Sequence, residues 1–127
     1  MAPTLRPADA ADLADVLRLW ADAGEEPTHT DDLDSLRKLV AHDPEAVIVA
    51  VHDGSIVGSV IAGWDGWRGS IYRLVVARDH RRNGLGRQLL VAAERRLAAA
   101  GATRSQAIVV ETDARATGFW RASGWEQ

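Results

Sequence analysis

A chain of 127 residues is long enough to close one hydrophobic core without staples, and a single domain over 1–127 is the natural expectation. It contains no cysteine, which excludes a disulfide scaffold, a thiolate zinc site and a cysteine nucleophile. The net charge is only -3, and an acidic chain without a basic stripe of interleaved aromatics is not a nucleic-acid binder.

The charge is unevenly spread. Residues 1–72 hold 13 acidic and 5 basic side chains, whereas residues 73–127 hold 5 and 10. Either the second half meets an anion, or both halves simply carry solvated helix faces. The opening residues, MAPTLRPADAADLADV, lack the charged-then-apolar order of a secretion signal, and no run approaches a membrane span. A soluble, cytoplasmic protein is expected, with no membrane partner.

Thr4 to Arg6 reads as a short strand. PADAADLADVLRLWADAG follows as a helix, with Leu13, Val16, Leu17 and Trp20 on one stripe, Asp9 as its cap and Gly24 at its end. DDLDSLRKLVAHDP reads as a second helix with Leu33, Leu36, Leu39 and Val40 inward and Pro44 as its stop. AVIVAVHDGSIVGSVIAG is a hairpin turning at Asp53-Gly54. SIYRLVVA is the next strand, and the apolar run Leu74-Val75-Val76 places it inside the sheet. A helix runs from about Gly84 to Ala100, where Gly101 suits a left-handed cap. SQAIVVE is a strand and DARATGFWRAS a last helix. The order β-α-α-β-β-β-α-β-α implies an α/β (α+β) domain built on one mixed sheet.

Between Val76 and the third helix lies ARDHRRNGLGR. Glycines at a helix entry let a ligand approach N–H groups that have no helical partner, and the helix dipole favours negative charge there. Arg81 and Arg82 add positive charge. The pattern fits a pyrophosphate cradle, although a flexible helix entry with solvated arginines would look the same. It is neither a Walker loop, which needs G-x-x-x-x-G-K-[ST], nor a Rossmann fingerprint, since Leu89 stands where the third glycine belongs.

Arg81-Arg82-Asn83-Gly84-Leu85-Gly86 resembles the R/Q-x-x-G-x-G/A signature of the GNAT family of N-acetyltransferases. LVVARDHRRNGLGRQLL is similar to that family's strand, loop and helix, with Arg78 where proline is usual. VVETDARATGFWRASGW resembles its closing segment, with Asp113 where Asn is commoner. LRPADAADLADVLRLW and VAVHDGSIVGSVIAG resemble its opening helix and hairpin, and DGWRGSIYRLVV resembles a small bacterial subgroup.

The resemblance implies the GNAT acyl-CoA N-acyltransferase fold. It also implies transfer of an acetyl group from acetyl-CoA, as cosubstrate and without a metal, to a primary amine of a small molecule, peptide or protein. Leu74, Val75 and Val76 are then expected along the pantetheine arm. Arg81, Arg82, Asn83, Gly84, Leu85, Gly86 and Arg87 are expected around the pyrophosphate.

The acetyl carbonyl needs a polarising N–H, which a strand N–H near Val76 can supply, and the amine needs a base. Glu111 and Tyr72 are the candidates, with Asp65 a third. Trp120 stands where the family often has a tyrosine acid, and indole N–H cannot deliver a proton. Trp120 then walls the thiol or is a core aromatic, and a non-catalytic acyl-CoA sensor is the alternative function. Trp64 and Trp67 are candidate acceptor walls. His29, His42, His52 and His80 share no metal-ligand spacing and read as surface or loop residues. Only GWEQ follows Ser123, where the family closes its sheet with a hairpin. Trp125 is therefore expected to start a truncated strand whose edge a second copy covers in a homodimer.

Overall fold

The computed structural model describes residues 2–25 and 27–107. The chain begins as β1 (Thr4–Pro7). Asp9 then starts the helix, because its carboxylate accepts the Ala11 N–H at 2.9 Å while Asp12 Oδ2 accepts the Asp9 N–H at 2.9 Å, a reciprocal capping box. The first turn, Ala10–Asp12, is a 3-10 turn, so α1 proper is Leu13–Asp22 and shorter than its periodicity predicts. Leu13, Val16, Leu19 and Trp20 are its buried face. α2 (Leu33–His42) is capped by Asp32, whose carboxylate accepts the Ser35 N–H at 2.7 Å, and it buries Leu36.

Arg6 donates to both oxygens of Asp12, at 2.7 and 3.0 Å. This bond, helped by the Asp9 N–H, holds the Asp12 carboxyl below the ordinary carboxylate range. A carboxyl group depressed in the folded state adds stability above its unfolded value and loses it as pH falls through the folded value. Asp12→Ala is therefore expected to lower the unfolding free energy by about 1 kcal/mol at neutral pH. The gap to wild type should close as pH drops below the ordinary carboxylate range, which urea unfolding at neutral and strongly acidic pH will show.

β2 (Val47–His52) and β3 (Ser55–Trp64) are joined by Asp53 and Gly54 at φ +50° and +78°, the left-handed pair that a two-residue hairpin turn requires. Next come β4 (Gly69–Val76), α3 (Leu85–Ala100) and β5 (Ser105–Ala107). The sheet order is β1-β2-β3-β4-β5. The first four strands are antiparallel, and α3 carries the chain back so that β5 runs parallel to β4. β4 is thus interior, as its apolar run implies.

Alternation divides the core into two layers. α1 and α2 lie over Val47, Val49, Ile61 and Val75 on one face. On the other, α3 lies over Ile48, Ala50, Val60, Ala62 and Ile71. α3 sits close to the sheet because Gly58 has no side chain: a Cβ there would stand 2.9 Å from Leu89 Cδ1. At its far end Gly101 takes φ +106° and the Ala102 N–H reaches the Leu97 carbonyl at 2.9 Å, closing the expected left-handed cap.

Among the described residues no helix is long and apolar enough to cross a membrane. Residues 108–111 of the last predicted strand, the final helix and Trp125 lie outside the described residues, and with them the basis of the homodimer expectation.

Candidate functional site

The loop from Ala77 to Gly84 joins the end of β4 to the start of α3. Arg78, at the position where the resemblance makes proline usual, opens a short 3-10 turn, Arg78–His80. Arg82 and Gly84 then take φ +66° and +86°, winding the chain tightly in a way that suits an anion concavity. Gly84 caps α3 without a side-chain hydrogen bond, so nothing from the cap residue occupies the first N–H groups of Leu85, Gly86 and Arg87. The space beside Gly84 is open: a Cβ built there meets nothing within 4 Å. Arg82, Asn83, Gly84 and Arg87 are exposed, Gly86 is half-exposed and Leu85 is buried against the sheet.

Arg81 does something the motif does not reveal. Its Nε donates to the Val76 carbonyl at 3.0 Å, bracing the loop against the end of β4. Main-chain groups alternate between the two edges of a strand. Ala77 donates to Val57 on the β3 side at 2.8 Å, so Val76 turns the other way, toward β5. Val75 pairs with Ser59 of β3 and is buried, while Leu74 and Val76 are half-buried.

Upstream of these residues β4 is irregular. Tyr72 opposes Ile61 and Val75 opposes Ser59, so Arg73 and Leu74 together face Val60, and Arg73 adopts φ +52°. A left-handed residue with a side chain costs about 1–2 kcal/mol. The buried Ser59 hydroxyl holds it, donating to the Arg73 carbonyl at 3.2 Å and accepting the Trp20 indole N–H at 2.8 Å. The Arg73 guanidinium pairs with Asp31, lies 4.0 Å from Glu25 Oε1 and stands 5.1 Å from the centre of the Trp20 ring. Sequence reasoning missed this cluster. Its one trace was a charged residue interrupting the apolar run of β4.

Tyr72 is half-buried on the α2 face, and burial raises its phenol above the ordinary tyrosine value. It borders a cavity of about 320 Å³ walled by Leu39, Gly63, Trp64 and Arg68. Asp65 is committed to its own loop: its carboxylate accepts the Trp67 and Arg68 N–H groups at 2.8 and 2.7 Å, which holds its pKa down. Trp67 is 68 % exposed with the Arg68 guanidinium 4.1 Å above its ring, whereas Trp64 packs on the core. His52 at the end of β2 and His80 in the loop after β4 are half-buried, with ring centres 5.3 Å apart. Among the described residues no three acidic or histidine side chains gather as a metal site would require. Glu111 and Trp120 lie outside the described residues.

The profile of the Acetyltransferase (GNAT) family matches residues 13–125. An acetyltransferase of Yersinia pestis (strain Pestoides F) is 36% identical over 116 residues, covering 91% of this chain and 82% of that protein. The crystal structure of Ard1 from Thermoplasma volcanium superposes with a TM-score of 0.84 at 22% identity, over 98% of this chain and 82% of that one. PaiA N-acetyltransferase from Thermoplasma acidophilum, solved in complex with coenzyme A, superposes with a TM-score of 0.80 at 13% identity, over 97% and 89%.

Proposed function

The chain belongs to the GNAT acetyltransferase family and is an acyltransferase, and on that premise we propose that it moves an acetyl group from acetyl-CoA to a primary amine beside β4. The carrying observation is the uncapped start of α3, with open space at Gly84 and basic residues on either side. The fold neighbour solved with coenzyme A supports the same reading.

In this reading the N–H groups from Arg82 to Arg87 hold the pyrophosphate, and the dipole of the 16-residue α3 adds to their pull. Arg81 shapes the loop from below through Val76. Leu74, Val75 and Val76 line the pantetheine arm, and a β4 N–H near Val76 polarises the acetyl carbonyl.

Acetyl-CoA supplies an activated thioester. Transfer forms a C–N bond and breaks the C–S bond. The amine's surplus proton goes to a base, and the departing thiolate takes up a proton. With its pKa raised, Tyr72 keeps its proton at neutral pH and serves as a hydrogen-bond donor rather than as the base. We assign the base to Glu111 and the wall beside the thiol to Trp120.

Isothermal titration with acetyl-CoA is expected to show one site per chain. No binding at millimolar cofactor would overturn the proposal. Thiol release above background with a panel of primary amines is the second expected result, and binding without turnover would favour an acyl-CoA sensor.

A further inference from the structure

We infer that Arg73 is a positioning residue for the acceptor amine, acting by fastening the loop between α1 and α2 onto the bulge of β4. The inference rests on the acetyltransferase reading and adds to it a part that neither the cradle nor the motif contains.

Three observations carry it. First, Arg73 sits within β4 immediately before Leu74, Val75 and Val76, the stretch assigned to the acyl arm. Its left-handed backbone is fixed by the Trp20–Ser59–carbonyl chain of hydrogen bonds. Second, its side chain leaves the strand for the α1–α2 loop. The guanidinium pairs with Asp31, lies 4.0 Å from Glu25 and stands over Trp20 of α1. Third, this cluster is shielded: the side chains of Arg73, Asp31 and Glu25 are 10%, 12% and 14% exposed. Charges so far from solvent are weakly screened, and replacing the arginine takes away the cation that two shielded carboxylates share. The loop is therefore held at one place relative to β4, and an amine approaching the acyl carbon across the α1–α2 face meets a fixed wall.

A buried ion pair that served stability alone would change unfolding and leave the kinetics of the folded enzyme untouched. A positioning role separates the two substrates. Arg73→Met is expected to leave the acetyl-CoA Kd within about threefold of wild type while raising the amine KM about tenfold or more. Tyramine, spermidine and an alanyl tripeptide serve as probes. Arg73→Lys, which keeps the charge but loses the planar fork, should recover part of the loss. Hydrogen exchange over residues 24–32 should accelerate in Arg73→Met.

Asp31→Asn cuts the same tie from the loop side and should act in the same direction, so a misfolded Arg73 variant does not end the test. Unchanged amine KM in both folded variants overturns the inference. So does a loss of acetyl-CoA affinity in step with the amine, which would mean that the strand rather than the loop had moved. A wild type that binds acetyl-CoA but acetylates none of the three amines also counts against it. A wild type that binds no acetyl-CoA overturns the acetyltransferase reading itself, a distinct result.

Discussion

Gly86→Val is expected to weaken acetyl-CoA binding at least tenfold, roughly 1.4 kcal/mol, in a protein that stays folded. Gly86 is the second residue of α3 and half-exposed, at the place where the pyrophosphate would approach the bare N–H groups. Valine is no worse a helix former than glycine, so the helix itself has no reason to melt. What changes is access, because two branched methyl groups stand where the ligand oxygens would come close. Gly84 is a poorer place to test this. Its φ of +86° is strained for any other residue, and a lost affinity there would mix backbone strain with access. Titration and circular dichroism on the same Gly86 sample settle the matter. Wild-type affinity in a folded variant would move the pyrophosphate away from this helix.

Leu89→Ala should cost about 2–5 kcal/mol of stability, the range for emptying a well-packed leucine site. Leu89 is fully buried, and it seats α3 against β3 at Gly58. The same contact predicts a coupling. Gly58→Ala alone forces a methyl group to within 2.9 Å of Leu89 Cδ1 and should also destabilise the fold. In the Leu89→Ala background that clash is gone and the new methyl enters the vacated space. The double variant should therefore be more stable than the sum of the two losses predicts. Urea unfolding of the four proteins measures this, and strict additivity would show that Gly58 and Leu89 do not share the seat of α3.

The elements were legible where local chemistry decides them. Asp9, Gly24, Asp53-Gly54 and Gly101 sit at the caps and turns that their side chains or left-handed backbones favour, and the apolar stripes of α1 and α2 face the core. The entry to α3 was legible for the same reason, since a helix start marked by two glycines is a local feature. The Arg73 cluster was not, because it joins residues 20, 25, 31, 59 and 73 through space and no spacing rule connects them. Asp65 misled because a carboxylate in a loop reads as available, whereas here it is satisfied by two N–H groups two and three residues on. Arg81 shows both sides. Its motif position was plain, but its bond to Val76 depended on how the loop folds back over β4.

The parallel pairing of β5 with β4 has a consequence in time as well as in space. The β2–β3 contacts close over a two-residue turn, but Ile71 meets Ala107 only after the chain has traversed the Ala77–Gly84 loop and the whole of α3. Loop-closure entropy makes such a distant pairing the costlier one to form, and early loss of α3 undoes it. The N-terminus of α3 lies within that crossover. A ligand held there would bind only the completed fold, and mass action would draw the unfolding equilibrium toward it, by about 2.7 kcal/mol at a hundredfold excess over Kd. The cosubstrate would thus also act as a stabiliser of the crossover that joins β4 to β5.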